Sequence, residues 1–196
     1  MNPIEEKTTQ QVLDLDLKES INIVAKIGES AAKEYQIETA LDKMEKEWLN
    51  MIISIAPYRE TGTGVIRAVD EINVILDEQI TMTQTIMFSA FKGPFEQRIE
   101  DWNAKLQMVS EVLEVWIIVQ KSWLYLQPIF ESADINRQLP VEGKKFATVD
   151  KNWRSTISNA KQNAKVIDFC DNEKLLERFR DSEVLLEQVQ KGLSDY

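Results

Sequence analysis

An all-α fold, an elongated rod-like multi-helix bundle with one small β-hairpin near residues 52–69, is what the sequence predicts, on three observations. Apolar residues recur in 4-3-4-3 stripes over long stretches, the signature of helices that bury one face. Helix breakers are scarce, with 6 glycines and 5 prolines in 196 residues. A single segment, near residues 52–69, drops the helical period for β-branched residues on either side of a glycine-containing turn.

The elements follow in chain order. A short stripe of Leu17, Ile21 and Val24 opens the chain, and a second helix carries Ile37, Leu41, Met44, Trp48, Met51 and Ile55. Ile52 to Tyr58 and Val65 to Val69 then flank Arg59-Glu60-Thr61-Gly62-Thr63-Gly64, which reads as a hairpin whose glycines supply positive φ angles. An isolated hairpin is marginal in water, so it is expected to pack on the helices, with its polar loop at the surface as a contact site. Asp70 is the candidate N-cap of a third helix bearing Ile72, Leu76 and Ile80.

The longest ladder is Phe95, Ile99, Trp102, Leu106, Val109, Leu113, Trp116, Gln120 and Trp123, strictly spaced and apolar except at Gln120. Gly93-Pro94 suits a helix start, and Pro128 disfavours helix at Gln127, so this fourth helix is placed from near Pro94 to near Leu126. At 1.5 Å per residue it is roughly 50 Å long, longer than a compact small domain is wide, and it requires partners lying alongside. Gln120 marks a weak point in that packing or a hydrogen bond from a neighbouring element. Phe146, Val149, Trp153, Ile157, Ala160, Ala164 and Ile167 define a fifth helix, and Leu176, Phe179, Leu186, Val189 and Leu193 a sixth. The five tryptophans sit on these stripes and read as core anchors.

Charge and composition exclude several functions. With 33 acidic and 23 basic residues the net charge is −10, which repels nucleic acid, acidic lipid and acidic polypeptide tails, and no run of Lys and Arg is dense enough to override it. No histidine is present, so triads built on imidazole and imidazole metal ligation are absent, and Cys170 alone forms neither a disulfide nor a zinc cluster. The longest apolar run, Val115 to Val119, is far short of a membrane span, and Met1-Asn2-Pro3 leads into charged residues rather than a signal peptide, so a cytosolic protein is expected. Gly143-Lys144 resembles the end of a phosphate-binding loop, but that motif needs glycine at Gln138 and a hydroxyl at Lys145. The carboxylate pairs Asp14/Asp16 and Asp77/Glu78 lack calcium-loop spacing and read as solvated helix faces. No catalytic, cofactor-binding or metal-ligating residue emerges, and no cofactor is called for.

Several separate motifs resemble one family. Trp123-Leu124-Tyr125-Leu126-Gln127-Pro128-Ile129-Phe130, Arg137-Gln138-Leu139-Pro140 and Val149-Asp150-Lys151-Asn152-Trp153-Arg154 resemble the linker region of dynein heavy chains. Leu13-Asp14-Leu15-Asp16-Leu17, Ala31-Ala32-Lys33-Glu34-Tyr35, Tyr58-Arg59-Glu60-Thr61-Gly62-Thr63, Val69-Asp70-Glu71-Ile72, Pro94-Phe95 and Gln190-Lys191-Gly192-Leu193-Ser194-Asp195-Tyr196 fit the same pattern in the same order. Thr81-Met82-Thr83-Gln84-Thr85 is similar to axonemal dyneins, of the inner-arm type. The resemblance implies that residues 1–196 are a fragment of a helical rod lying across a ring of AAA+ ATPase modules, bending and straightening with nucleotide state to drive microtubule-based movement in cilia and flagella. It implies the AAA+ ring of the same heavy chain and the rest of the linker and tail as partners. Nucleic acid, membrane and direct microtubule contact are not implied, and the location is the cytoplasm, the cytoskeleton and the ciliary axoneme.

The alternative is a spectrin-like scaffolding or protein-interaction bundle. Trp48 and Trp153 can be overlaid so that Leu41 meets Phe146 and Met44 meets Val149, but heptad stripes align whenever one position is matched, and nothing opposite the hairpin segment resembles a turn. An enzyme would need a convergent polar constellation, which the sequence does not offer. Calorimetry with ATP and magnesium is therefore expected to show no saturable heat, and stoichiometric binding would contradict the reading of Gly143-Lys144.

Overall fold

The computed structural model describes the backbone of residues 3–196 and the side chains of residues 17–196. Seven α-helices and one two-stranded sheet are present among these residues: α1 Pro3–Leu49, β1 Ser54–Pro57, β2 Gly64–Arg67, α2 Val69–Met87, α3 Glu96–Phe130, α4 Ala133–Gln138, α5 Pro140–Gln162, α6 Val166–Cys170 and α7 Glu173–Asp195. The bundle with one hairpin is the expected class.

Helix α3 is the spine. Its 35 residues span about 52 Å, and α2, α4, α5, α6 and α7 all touch it. The ladder from Ile99 to Trp123 is buried as expected, apart from a half-buried Gln120, and Val112, Val119 and Leu126 add a third buried series adjacent to it. The apolar face is therefore broader than a two-position stripe and takes more than one partner. Trp116 lies fully buried with Phe179 stacked at 5.3 Å and Phe169 tilted at 5.6 Å, so α6 and α7 close over it together. Trp123 stacks on Trp153 of α5 at 5.3 Å, and Phe130 stacks on Phe146 at 5.2 Å.

Several boundaries differ from the sequence reading, each for an identifiable reason. The two opening stripes lie on one continuous α1. Ile37, Leu41, Met44 and Trp48 are buried, whereas Leu17, Ile21 and Val24 are 61%, 58% and 69% exposed. Helix face does not explain this, because Ile23, which at about 100° per residue points within about 20° of Trp48, is 59% exposed as well; residues 17–29 are exposed all round and pack on nothing among the described residues. The carboxylate pair Asp14/Asp16 lies outside the described side chains.

Helix α1 ends at Leu49, and Met51 and Ile55 leave it: Ile55 joins β1, and the chain at Met51–Ile53 pairs with Ala164–Val166. The Ile53 N–H donates to the Ala164 carbonyl at 2.6 Å and the Val166 N–H to the Met51 carbonyl at 3.1 Å. Those bonds use backbone groups that a helix would need, which is why the stripe from Phe146 to Ile167 breaks after Gln162 into α5 and α6. Ala164 is half-buried in the connection and Ile167 buried on α6.

Asp70 is not the cap of α2 but its second residue; Ala68 occupies the cap position in the left-handed conformation, φ 58°, with no side-chain cap bond. The buried stripe of α2 runs Ile72, Leu76, Gln79, Thr83, Ile86 rather than through Ile80, which is half-buried. Gln79 belongs inside because its Oε1 accepts from the Trp48 indole, while its Nε2 donates to Glu47 at 2.8 Å and, more weakly, to the Met44 carbonyl at 3.4 Å. Gly93–Phe95 forms a single 3-10 turn before α3, and α3 continues through Pro128 to Phe130 instead of stopping near Leu126. Proline removes only the bond to the Leu124 carbonyl in the last turn, and burial of Leu126 and Phe130 outweighs that loss. The short α4 had no signal in the apolar period.

Truncating Trp116 to alanine is expected to lower unfolding free energy by about 3–5 kcal/mol, the range for large aromatic deletions in cores. Denaturant titration checks this, and a loss below about 1 kcal/mol would mean that the spine tolerates a void at its centre.

Candidate functional site

The densest convergence of polar groups is where the hairpin meets α3 and α5. Strands β1 and β2 pair antiparallel with Ile55 opposite Ile66 and Pro57 opposite Gly64. The outward backbone of Ile66 is satisfied by one side chain: its N–H donates to Gln120 Oε1 at 2.8 Å, and Gln120 Nε2 donates back to its carbonyl at 3.1 Å. Gln120 thus acts as a third strand for one residue. Of the two roles left open for it, the hydrogen bond with a neighbouring element is the one found.

Helix α5 supplies the remaining anchors. The Trp153 indole donates to the Gly64 carbonyl at 3.1 Å, and the Arg154 guanidinium donates to the Thr61 carbonyl while its Nε donates to Asp150 at 2.8 Å. Asp150 also accepts from the Trp123 indole at 2.9 Å, and Tyr58 meets Trp123 edge-on at 5.5 Å. A chain of bonds therefore runs from α3 through Asp150 and Arg154 to the loop. The pair is partly exposed, so its value lies in geometry more than in raw Coulomb energy.

The loop is divided by this clasp. Arg59, Glu60 and Gly62 face solvent, whereas Thr63 and Gly64 are buried, so only the tip is available as a contact surface. Gly62 has the expected positive φ of 77°. Gly64 does not: its requirement is space, since a Cβ would stand 2.6 Å from the Ala56 carbonyl oxygen across the sheet. The left-handed residues of the segment are Gly62, Arg59 and Ala68.

The remaining candidates resolve into structure. Gly143 is buried in the first turns of α5, where a Cβ would fall 2.5 Å from the Asn136 side chain, so close packing of α4 on α5 explains it. Asp77 and Glu78 lie exposed on α2. Burial pushes the Cys170 thiol up to about 12, which keeps it protonated and un-nucleophilic. Arg98 of α3 reaches Asp42 of α1 at 2.6 Å and Glu45 at 3.3 Å; the hydrogen bond to Asp42 chiefly raises its pKa. Among the described residues no three of His, Cys, Asp and Glu gather to hold a metal, and no described helix is long and apolar enough to cross a membrane.

Of the clasp residues, Trp153 is legible in the sequence as a core anchor on its stripe, whereas Asp150 and Arg154 stand out only as part of a motif. Their i,i+4 acid–base spacing fits a helix surface pair, but nothing in the sequence says that Arg154 reaches a loop ninety-three positions earlier.

Fold and clasp together define a helical bundle segment with a hairpin bound to its spine. Residues 1–196 match throughout the family described as "Dynein heavy chain, N-terminal region 2", and the chain belongs to it. It is similar to "Dynein axonemal heavy chain 1" of Rattus norvegicus, 49% identical over 189 residues, covering 96% of this chain and 4% of that protein. The Homo sapiens protein of the same name is 47% identical over the same share. "Dynein axonemal heavy chain 3" of Mus musculus is 40% identical over 196 residues, 100% of this chain and 5% of that protein. The chain thus spans about one twentieth of the length of these relatives.

Gly64→Ala is expected to cost about 1–3 kcal/mol as an overpacking change, and Gly62→Ala about 1 kcal/mol as a left-handed alanine. Gln120→Leu is expected to cost about 1–3 kcal/mol by leaving the Ile66 backbone unpaired. Thermal and denaturant melts rank the three, and equal stability of Gln120→Leu and wild type would dissolve the clasp.

Proposed function

We propose that residues 1–196 form part of the mechanical linker of an axonemal dynein heavy chain, a rod that passes on conformational change from the AAA+ ring of the same chain. The observation that supports this most is α3: a helix about 52 Å long, surrounded by five other helices and sharing a contiguous core with α1 and α2. Such an element bends only by repacking many side chains at once, which is what a lever requires. Membership of the dynein heavy chain family, and relatives named for axonemal dynein, support the ciliary axoneme as its location. In this reading the segment itself is not catalytic; its partners are the ring and the rest of linker and tail, and it makes no direct contact with the microtubule.

The test is a motor carrying Trp102→Ala or Trp116→Ala, with Trp116→Phe as a variant that keeps the core filled. Gliding velocity is expected to fall in the alanine variants while ATP turnover persists, and Trp116→Phe to retain most of both. Equal loss of movement and turnover in a folded motor would show that these residues do not serve transmission.

A further inference from the structure

Charge is unevenly distributed over the bundle. Residues 140–165, α5 and the turn after it, hold six basic and two acidic side chains, in a chain that elsewhere holds 17 basic and 31 acidic. Neither acid opposes the outer face. Asp150 is committed to Arg154 and the Trp123 indole, and Glu142 is half-buried where α5 passes Gly192 of α7. The outward ridge reads Lys144, Thr148, Lys151, Ser155, Ser158, every one exposed, with Lys161 beside its end. Among the described residues none of these lysines makes an ion pair. Helix α7, by contrast, intersperses both signs along its surface.

We propose that this ridge of α5 is a docking face for an acidic protein surface lying outside residues 1–196. Three lysines over about 25 Å of helix, separated by hydroxyls, complement carboxylates spaced along a helix or loop of similar extent. A compact acidic patch fits better than an extended polyanion. Nucleic acid or an anionic bilayer would run past the ridge onto a molecule that is otherwise strongly acidic, and be repelled there. No dense basic run marks this ridge in the sequence, because its charges gather by helical spacing, not by adjacency. This inference does not depend on the linker role.

The experiment uses the intact heavy chain in its assembled motor, footprinted with an amine-acetylating reagent and cross-linked with a zero-length carbodiimide. At about 50 mM salt Lys144, Lys151 and Lys161 are expected to react at least ~5-fold more slowly than free Nα-acetyllysine, and to approach its rate at about 0.5 M salt. Cross-links are expected from them to Asp or Glu outside residues 1–196, and to be lost in K144Q/K151Q/K161Q. Free reactivity at low salt would overturn the proposal. So would protection that nuclease or detergent abolishes, or cross-links confined to residues 1–196.

Discussion

Everything in this bundle follows from the apolar surface of α3. Eleven of its twelve buried side chains are apolar, and they occupy three adjacent series along the helix rather than two. Each such side chain gains about 1.5–3 kcal/mol from burial, and no single partner helix covers a face that broad over 52 Å. Partners therefore arrive in relay. Helix α2 packs along it, α5 and α7 close over it, and α6 plugs the position of Trp116 with Phe169. Helix α1 is tied to the same framework through the salt bridges of Arg98 and the buried Trp48–Gln79 contact.

Apolar packing alone leaves helices free to slide, and buried polar groups pin the register here. Gln79 holds α1 to α2 at Trp48 and Met44, and Gln120 holds the hairpin to α3 at Ile66. Trp123 and Trp153 each combine an apolar ring in the stack with an indole donor that finds Asp150 or Gly64. Among the described residues the indoles of Trp102 and Trp116 have no hydrogen-bond partner, so those rings contribute through packing. Misregister would strand a buried amide at Gln79 and a half-buried one at Gln120, which is why these two glutamines on largely apolar stripes strengthen the fold's uniqueness.

Long periodic helices were legible in the sequence because periodicity is a local property. The stripes through Leu41, Trp116, Trp153 and Phe179 all became core. What was not legible depended on distant partners. The break after Gln162 needed the Met51–Ile53 segment as an alternative hydrogen-bonding partner, and helix through Pro128 needed Phe146 to receive Phe130. The burial of Gln79 is not legible because its hydrogen-bond partners, the Trp48 indole donor and the Glu47 and Met44 acceptors, lie on another helix, whereas Val112, Val119 and Leu126 stand seven apart and form a series of their own. At the hairpin the turn and its glycine at 62 were readable from composition, whereas the clasp, built by residues of α3 and α5 far along the chain, was not.

The central claim is that α3 organises one cooperative unit, and native-state hydrogen exchange tests it most directly. Amides of residues 102–123 are predicted to exchange slowest and with one common opening free energy, shared by the facing halves of α5 and α7, since opening any of them exposes the same core. Exchange of the two halves of α3 at separate, widely different free energies would contradict this, and would place a hinge inside the spine.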